Sequence, residues 1–243
     1  MRISIFLFLF CISTIAFSQE NQTIQKKNKL EANLTFSFNS NGIAPIPAFS
    51  LDKPALFASV NFSKGRFSYN PILAYSLEAK PWFVDNWFNY KVIFRPKFEL
   101  RTGINISTFF SRLNVDSDEI LKGERYIGVA ITGTYKFSPV SSIKLEYLSD
   151  NGQEPGTLSG YFTNIAFDKS KINLGEKGLL AINLMIFYIN YDGNSDGMFF
   201  SPTISFSIKN IPFTLFYQSN QTIQSDIEPR PKFKWNVGVS YIL

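Results

Sequence analysis

Four ionisable side chains bracket one turn: Asp85 and Lys91 precede Arg95-Pro96-Lys97, and Glu99 and Arg101 follow it. In two extended segments joined by a tight turn, directly opposite residues have Cβ atoms about 4.5–5.5 Å apart. Counting back from the turn sets Lys91 across from Arg101 and diagonal to Glu99, close enough for a shared ion-pair cluster. Lys144 and Glu146 are two residues apart, so both point to one face of a strand. Mixed charge on one face either fills a narrow enclosed space with salt bridges or lines a path that selects ions, and both readings stand on these spacings.

Two further stretches have chemistry to offer. Asp192-Gly193-Asn194-Ser195-Asp196-Gly197 matches the first half of an EF-hand loop, D-x-N-x-D-G, whose oxygens at Asp192, Asn194 and Asp196 suit Ca²⁺. The bidentate glutamate is missing, because Thr203 stands at the twelfth position, and a plain hairpin turn rich in Asp, Asn and Gly accounts for the same residues. Calcium is therefore a candidate ligand and no other cofactor is expected. Gly42 to Pro54 carries Pro45, Pro47 and Pro54 with Ile43, Ile46, Phe49 and Leu51, which is apolar for an exposed loop. It is a candidate constriction loop that folds over a mouth or into an interior, with packing on a rim as the alternative.

The residues that are missing narrow the field. Arg2, the apolar run Ile3 to Phe10 and Ala16-Phe17-Ser18 read as a secretory signal peptide over residues 1–18, followed by a segment 19–29 ahead of the first strand. The only cysteine, Cys11, lies in that leader, and histidine is absent throughout. A mature chain with neither residue has no disulfide, no thiolate metal site, and no histidine for acid–base work near neutral pH, so no enzyme is expected. The formal charge of +5 and a pI near 9.1 invite a nucleic-acid reading. The basic residues are dispersed, however, and no zinc-finger, helix-turn-helix or RRM-like pattern occurs, so no nucleic-acid partner is expected.

What must position these groups is a set of strands. Twenty-six Phe and eleven Tyr with three Met favour extended structure. In the last twelve residues Phe233, Trp235, Val237, Val239, Tyr241 and Leu243 share one face, opposite Lys232, Lys234, Asn236, Gly238 and Ser240. The same alternation appears from Leu30 to Asn39 and from Tyr126 to Phe137. Around the Pro96 turn it runs Trp82, Val84, Phe88, Tyr90, Val92, Phe94, then Phe98, Leu100, Ile104, Ile106. Further strands read near Ala55–Ser63, Phe67–Leu77, Ile143–Tyr147, Gly160–Phe167, Leu179–Tyr191, Met198–Ile208 and Pro212–Ser219, the ninth apolar on both faces. The total is twelve, and an even count suits a bacterial single-chain barrel.

Connections after even strands are short and those after odd strands are mostly longer, the largest being Thr108 to Glu124; Asp168 to Gly178 and the link after the third strand break the rule. Lys and Arg dominate the short-turn end, and Asp and Glu the other. Several strands reach eleven to fourteen residues, against about five or six in ordinary globular sheets. Lys, Arg, Asp and Glu are absent from the apolar face of the five clearest strands, where a cation at a bilayer midplane would cost about 2–4 kcal/mol. Across residues 30–243 the pattern resembles the outer-membrane β-barrel class of Gram-negative bacteria, porin-like in type, and looks like barrels of the Bacteroidota. That resemblance implies an all-β, closed, antiparallel up-and-down transmembrane barrel in the outer membrane. It further implies contact with outer-membrane lipid, assembly by a barrel-assembly machine and often a transport role. On this reading Asp85, Lys91, Glu99, Arg101, Lys144 and Glu146 line the lumen of a small porin-like channel for ions or small polar solutes, or else brace a closed structural or binding barrel.

Overall fold

The computed structural model describes residues 29–44, 49–115, 118–228 and 232–243. The leader 1–18, most of the segment 19–29 and Ile46 lie outside the described residues. Twelve strands follow in order: β1 (Glu31–Asn39), β2 (Ala55–Lys64), β3 (Phe67–Ser76), β4 (Pro81–Phe94), β5 (Phe98–Val115), β6 (Asp118–Ser138), β7 (Ser141–Gly152), β8 (Ser159–Leu174), β9 (Gly178–Tyr191), β10 (Ser195–Ile208), β11 (Phe213–Ser225) and β12 (Phe233–Ile242). Each pairs antiparallel with its sequence neighbours, and β12 pairs with β1, so the sheet is a closed barrel.

Alternation decides which side of the wall each residue takes. Phe36, Phe38, Ile104, Ile106, Ile127, Val129, Ile131, Leu145, Ile204, Leu215 and Val237 are exposed on the outer surface, and Trp235 keeps 51% of its surface free. Asn39, Glu99, Asn105, Thr132, Asn164, Ser201 and Asn236 are buried on the other side. A soluble barrel places these two sets the other way round. This outer skin belongs in hydrocarbon, and the chain is a transmembrane barrel. Tyr147 stacks on Tyr161, which meets Tyr188 at a tilt near one rim, each pair with ring centroids 6.0 Å apart; Phe213 meets Tyr241 at a tilt near the other. The tyrosines are the amphipathic aromatics that membrane interfaces favour.

The start of β1 and the end of β12 lie at one rim, called here the terminal end, together with the short turns. At Gly65 (φ 61°) the first central residue of a two-residue turn takes the left-handed region, which a type II′ hairpin reserves for glycine. At the opposite, loop end, Asp192 (φ 49°) and Gly193 (φ 69°) are both left-handed and the Asn194 amide donates to the Tyr191 carbonyl, which is a type I′ hairpin.

Four local expectations need correction. Thr108 to Glu124 is not a long loop: β5 and β6 continue as a paired ribbon from Phe98–Tyr135 to Val115–Asp118, rising beyond the rest of the wall. Asp168 to Gly178 is mostly strand, with a bulge between Lys169 and Ile172 where Lys171 turns left-handed (φ 53°). Trp82 does not share the outer face with Val84, because the pairing slips between Ala74–Phe83 and Tyr75–Pro81, and its indole is 4% exposed in the interior. Phe94 also leaves the outer face. A bulge at Val92 puts Ile93 opposite Leu100 and Phe94 opposite Glu99, with the Lys91 ammonium 4.7 Å from the Phe94 ring centre.

The seam that closes the barrel is short, running from Thr35–Ile242 to Asn39–Gly238. Asn236, fully buried, locks its upper end: its amide donates to Asn39 Oδ1, and its carbonyl accepts from the Asn41 backbone amide at 3.1 Å and from Ser40 Oγ at 3.4 Å. Replacing Asn236 by Ala strands these buried groups, and a lost buried partner costs about 1–3 kcal/mol. Urea unfolding of Asn236→Ala in lipid vesicles should show a loss of that size, and an unchanged midpoint would contradict the role of this lock.

Candidate functional site

The interior divides into two parts. At the terminal end the wall is polar. Asn89 Nδ2 donates to Asn70 Oδ1 (3.2 Å), whose own amide donates to Asn61 (2.7 Å), a rung of asparagines across β4, β3 and β2. Beside it, Lys91 is opposite Arg101, and both charges converge on Glu99: Arg101 NH2 to Oε1 at 3.0 Å and Lys91 Nζ to Oε2 at 3.5 Å. Glu99 is 7% exposed, and its two partners are about one-third exposed. An acceptor shared by two cations leaves one net positive charge facing a vestibule of about 400 Å³ lined also by Lys29, Glu31 and Ser68. Further round the wall, Glu146 accepts from Thr132 Oγ1 (3.0 Å) and Asn164 Nδ2 (2.9 Å), with Lys144 Nζ at 3.8 Å.

Towards the loop end the interior changes character. A chamber of about 500 Å³ is walled by aromatic rings, among them Phe57, Trp82, Phe83, Trp87, Phe109 and Tyr191, with Asp85, Asp150 and Glu146 interspersed. On one side Phe187 stacks on Phe199 (5.0 Å) and meets Phe162 (5.2 Å), which together with Ile189 fill that part of the lumen. This explains why β9 is apolar on both faces. Period-two reasoning sends every apolar residue to lipid and so misses the inward aromatics. The available signal is the aromatic doublet: in Phe109-Phe110, Tyr161-Phe162 and Phe199-Phe200 the adjacent rings must take opposite sides of the wall.

Large inward rings need small neighbours. A side chain at Gly238 would collide with the Phe216 ring, and one at Gly160 would come within 2.9 Å of Tyr191 Cδ1. Ala55 and Ala74, both fully buried, lie against Trp82 in the same way.

The described residues of the connection between β1 and β2 contribute Ile43, Ala44 and Phe49 to the lining of this chamber. Gly42 carries both ends of the loop, donating to the Lys53 carbonyl (2.7 Å) and accepting from Leu51 (2.8 Å). Lys234 Nζ reaches both carboxylate oxygens of Asp52 at 2.7 Å. Ile43 is buried and lines the chamber together with Phe49. Phe49 stacks on Phe109 (5.5 Å) and meets Tyr191 edge-on (6.1 Å), and Trp82 Nε1 donates to its carbonyl (3.0 Å). Leu51 sits one layer out, against a rim hollow shared with Phe110 and Arg112.

Asp192, Asn194 and Asp196 occupy the β9–β10 hairpin, and the two carboxylates have separate protein partners. Asp192 Oδ1 accepts from the Ser159 amide (3.0 Å), while Asp196 Oδ2 accepts from the Tyr188 hydroxyl (2.9 Å). Among the described residues no three His, Cys, Asp or Glu side chains gather as a metal site.

The loop-end rim carries two charged clamps. Glu78 accepts from Arg112 (3.0 Å) with Lys53 at 3.7 Å, and these cations hold its carboxyl below the ordinary 4.5. Glu154 is lowered likewise by the Arg125 side chain and then the Arg125 backbone amide, which donates at 2.6 Å.

An apolar-skinned, twelve-stranded closed barrel with an enclosed polar and aromatic lumen is the architecture of bacterial outer-membrane β-barrel proteins. The fold is similar to that of the KdgM porin, with a TM-score of 0.57 and 10% identity over 86% of this chain and 98% of that one. It is also similar to an outer-membrane channel from Pseudomonas putida F1, with a TM-score of 0.51 and 9% identity over 91% and 99% of the two chains. No protein-family model and no curated protein matches the sequence, so the likeness is one of fold.

A carboxyl with a depressed pKa keeps its clamp while ionised and loses it only as pH falls through the lowered value. The Arg125 amide, corrected for intrinsic exchange, should therefore stay protected from hydrogen exchange from about pH 7 down to about pH 5 and lose protection below the ordinary glutamate range. Loss of protection already above about pH 5 would contradict the clamp.

Proposed function

We propose that this chain is a small outer-membrane channel, its terminal end in the periplasm, through which small solutes pass passively under the constriction set by Phe49. The observation that supports it most is the stacked arrangement inside one closed wall: an aromatic chamber under a tethered loop, then a polar vestibule with a surplus positive charge. Lys91, Glu99 and Arg101 form the ion-sensing layer, with Lys144 and Glu146 two strands further round the wall. Asp85 lies between this layer and the loop.

Purified protein in a planar bilayer should give discrete conductance steps, and silence over a wide voltage range would reject the channel. Phe49→Ala removes the ring that caps the chamber and should raise the single-channel conductance. Replacing Lys91 and Arg101 together by Ala leaves Glu99 alone in its layer and should move the reversal potential towards cation selectivity.

A second reading, a closed binding or structural barrel, draws support from the rings of Phe162, Phe187 and Phe199 that fill part of the lumen. In that case the double substitution lowers stability and leaves permeability unchanged.

A further inference from the structure

We propose that the aromatic chamber binds small organic cations, of the size and kind of a quaternary ammonium or a protonated alkylamine. For transport this rests on the channel reading and names its solute class; for binding it rests on the chamber alone.

Among the described residues lining the chamber there are three carboxylates, Asp85, Glu146 and Asp150, and no Lys or Arg. Glu146 is already engaged by Thr132, Asn164 and Lys144. Asp85 accepts a hydrogen bond from the Asn105 side chain and Asp150 one from the Gly160 backbone, but neither takes part in any of the ion pairs found among the described residues. They stand on β4 and β7, three strands apart along the curved wall, in neighbouring rows. Trp87, Asn105, Gly128 and Asp150 form one row, and Asp85, Ser107 and Tyr126 form the next. Trp82, Trp87, Phe49 and Phe109 line the same chamber.

Anions find no positive partner in such a space, and a purely apolar solute would leave two carboxylates without a counter-charge. An organic cation satisfies both features at once. Its charge meets the carboxylates and the π-faces of Trp and Phe, and its carbon shell occupies the rest. A hydrated inorganic ion gains less, because it would have to shed water against hydrocarbon walls. The volume of about 500 Å³ is of the right order for such a molecule and lies within the usual range of small-molecule pockets. The vestibule beyond, with Lys91 and Arg101, then opposes the cation at the far end, so a molecule entering from the loop side dwells in the chamber.

The test compares choline with its neutral isostere 3,3-dimethylbutan-1-ol, titrated against the full-length folded protein in detergent. Calorimetry and the fluorescence of Trp82 and Trp87 report binding. Choline should bind, and the neutral isostere about tenfold more weakly, the difference expected for the charge. Asp85→Asn combined with Asp150→Asn, chosen because Asn keeps the shape, should remove that preference while the barrel stays folded by heat-modifiable gel mobility. If the double variant does not fold, each single variant should reduce the preference in part. Equal affinity for the two compounds, or no binding of choline, overturns the proposal whatever the bilayer shows. Binding of choline without conductance upholds the proposal while rejecting the channel. Conductance without any choline preference does the reverse.

Discussion

Backbone hydrogen bonding in a solvent without water governs this molecule. Within hydrocarbon an N–H or C=O left unpaired costs several kcal/mol, so a sheet that crosses a membrane has to close on itself. Eleven sequential hairpin pairings are easily arranged because turns hold neighbouring strands together; the twelfth, β1 with β12, joins the two ends of the chain. It is the shortest pairing in the barrel, and buried side chains, Asn39 and Asn236, strengthen it at its upper end. The terminal strand therefore has two tasks. Its outer residues, Trp235 and Val237, meet lipid, while its inner ones, Lys234 and Asn236, fasten the loop and the seam.

Closure also fixes an interior, and the sequence furnishes it unevenly. At the terminal end the asparagines bond one another, and Lys91 and Arg101 share Glu99. At the loop end, rings lie over glycines and alanines of adjacent strands, so bulk on one strand is matched by its absence on the next. The wall is thus smooth in volume though rough in sequence. Along the axis from the loop end, aromatic rings and carboxylates come first and cationic groups afterwards, and that ordering gives the lumen a direction.

The outer face was legible because lipid imposes a strict rule on it. Phe36 and Phe38 on β1, Val129 and Ile131 on β6, and Trp235 and Val237 on β12 all obey a period of two with no charge among them. The opposition of Lys91 and Arg101 was legible through the turn, though for a less simple reason than counting implies. The turn itself pairs Phe94 with Glu99, one residue out of step, and the bulge at Val92 restores the register by the time the chain reaches Lys91. Bulges leave no mark in the local pattern, since they answer to the geometry of the partner strand; hence Trp82 and Phe94 were misplaced. The aromatic chamber was hidden by the same rule that revealed the skin. An inward Phe109 and an outward Phe110 have identical chemistry, and only the pleat tells them apart.

The central claim is that the apolar surface faces acyl chains while the lumen does not, and the three tryptophans sit on opposite sides of that divide. Trp235 is on the outer skin, and Trp82 and Trp87 are inside. Single-tryptophan proteins, with the other two replaced by Phe, can be folded into vesicles of lipids brominated along the acyl chain, and their fluorescence compared with that in unbrominated lipid. The structure predicts strong quenching of Trp235 and little of Trp82 or Trp87; the reverse order would contradict it.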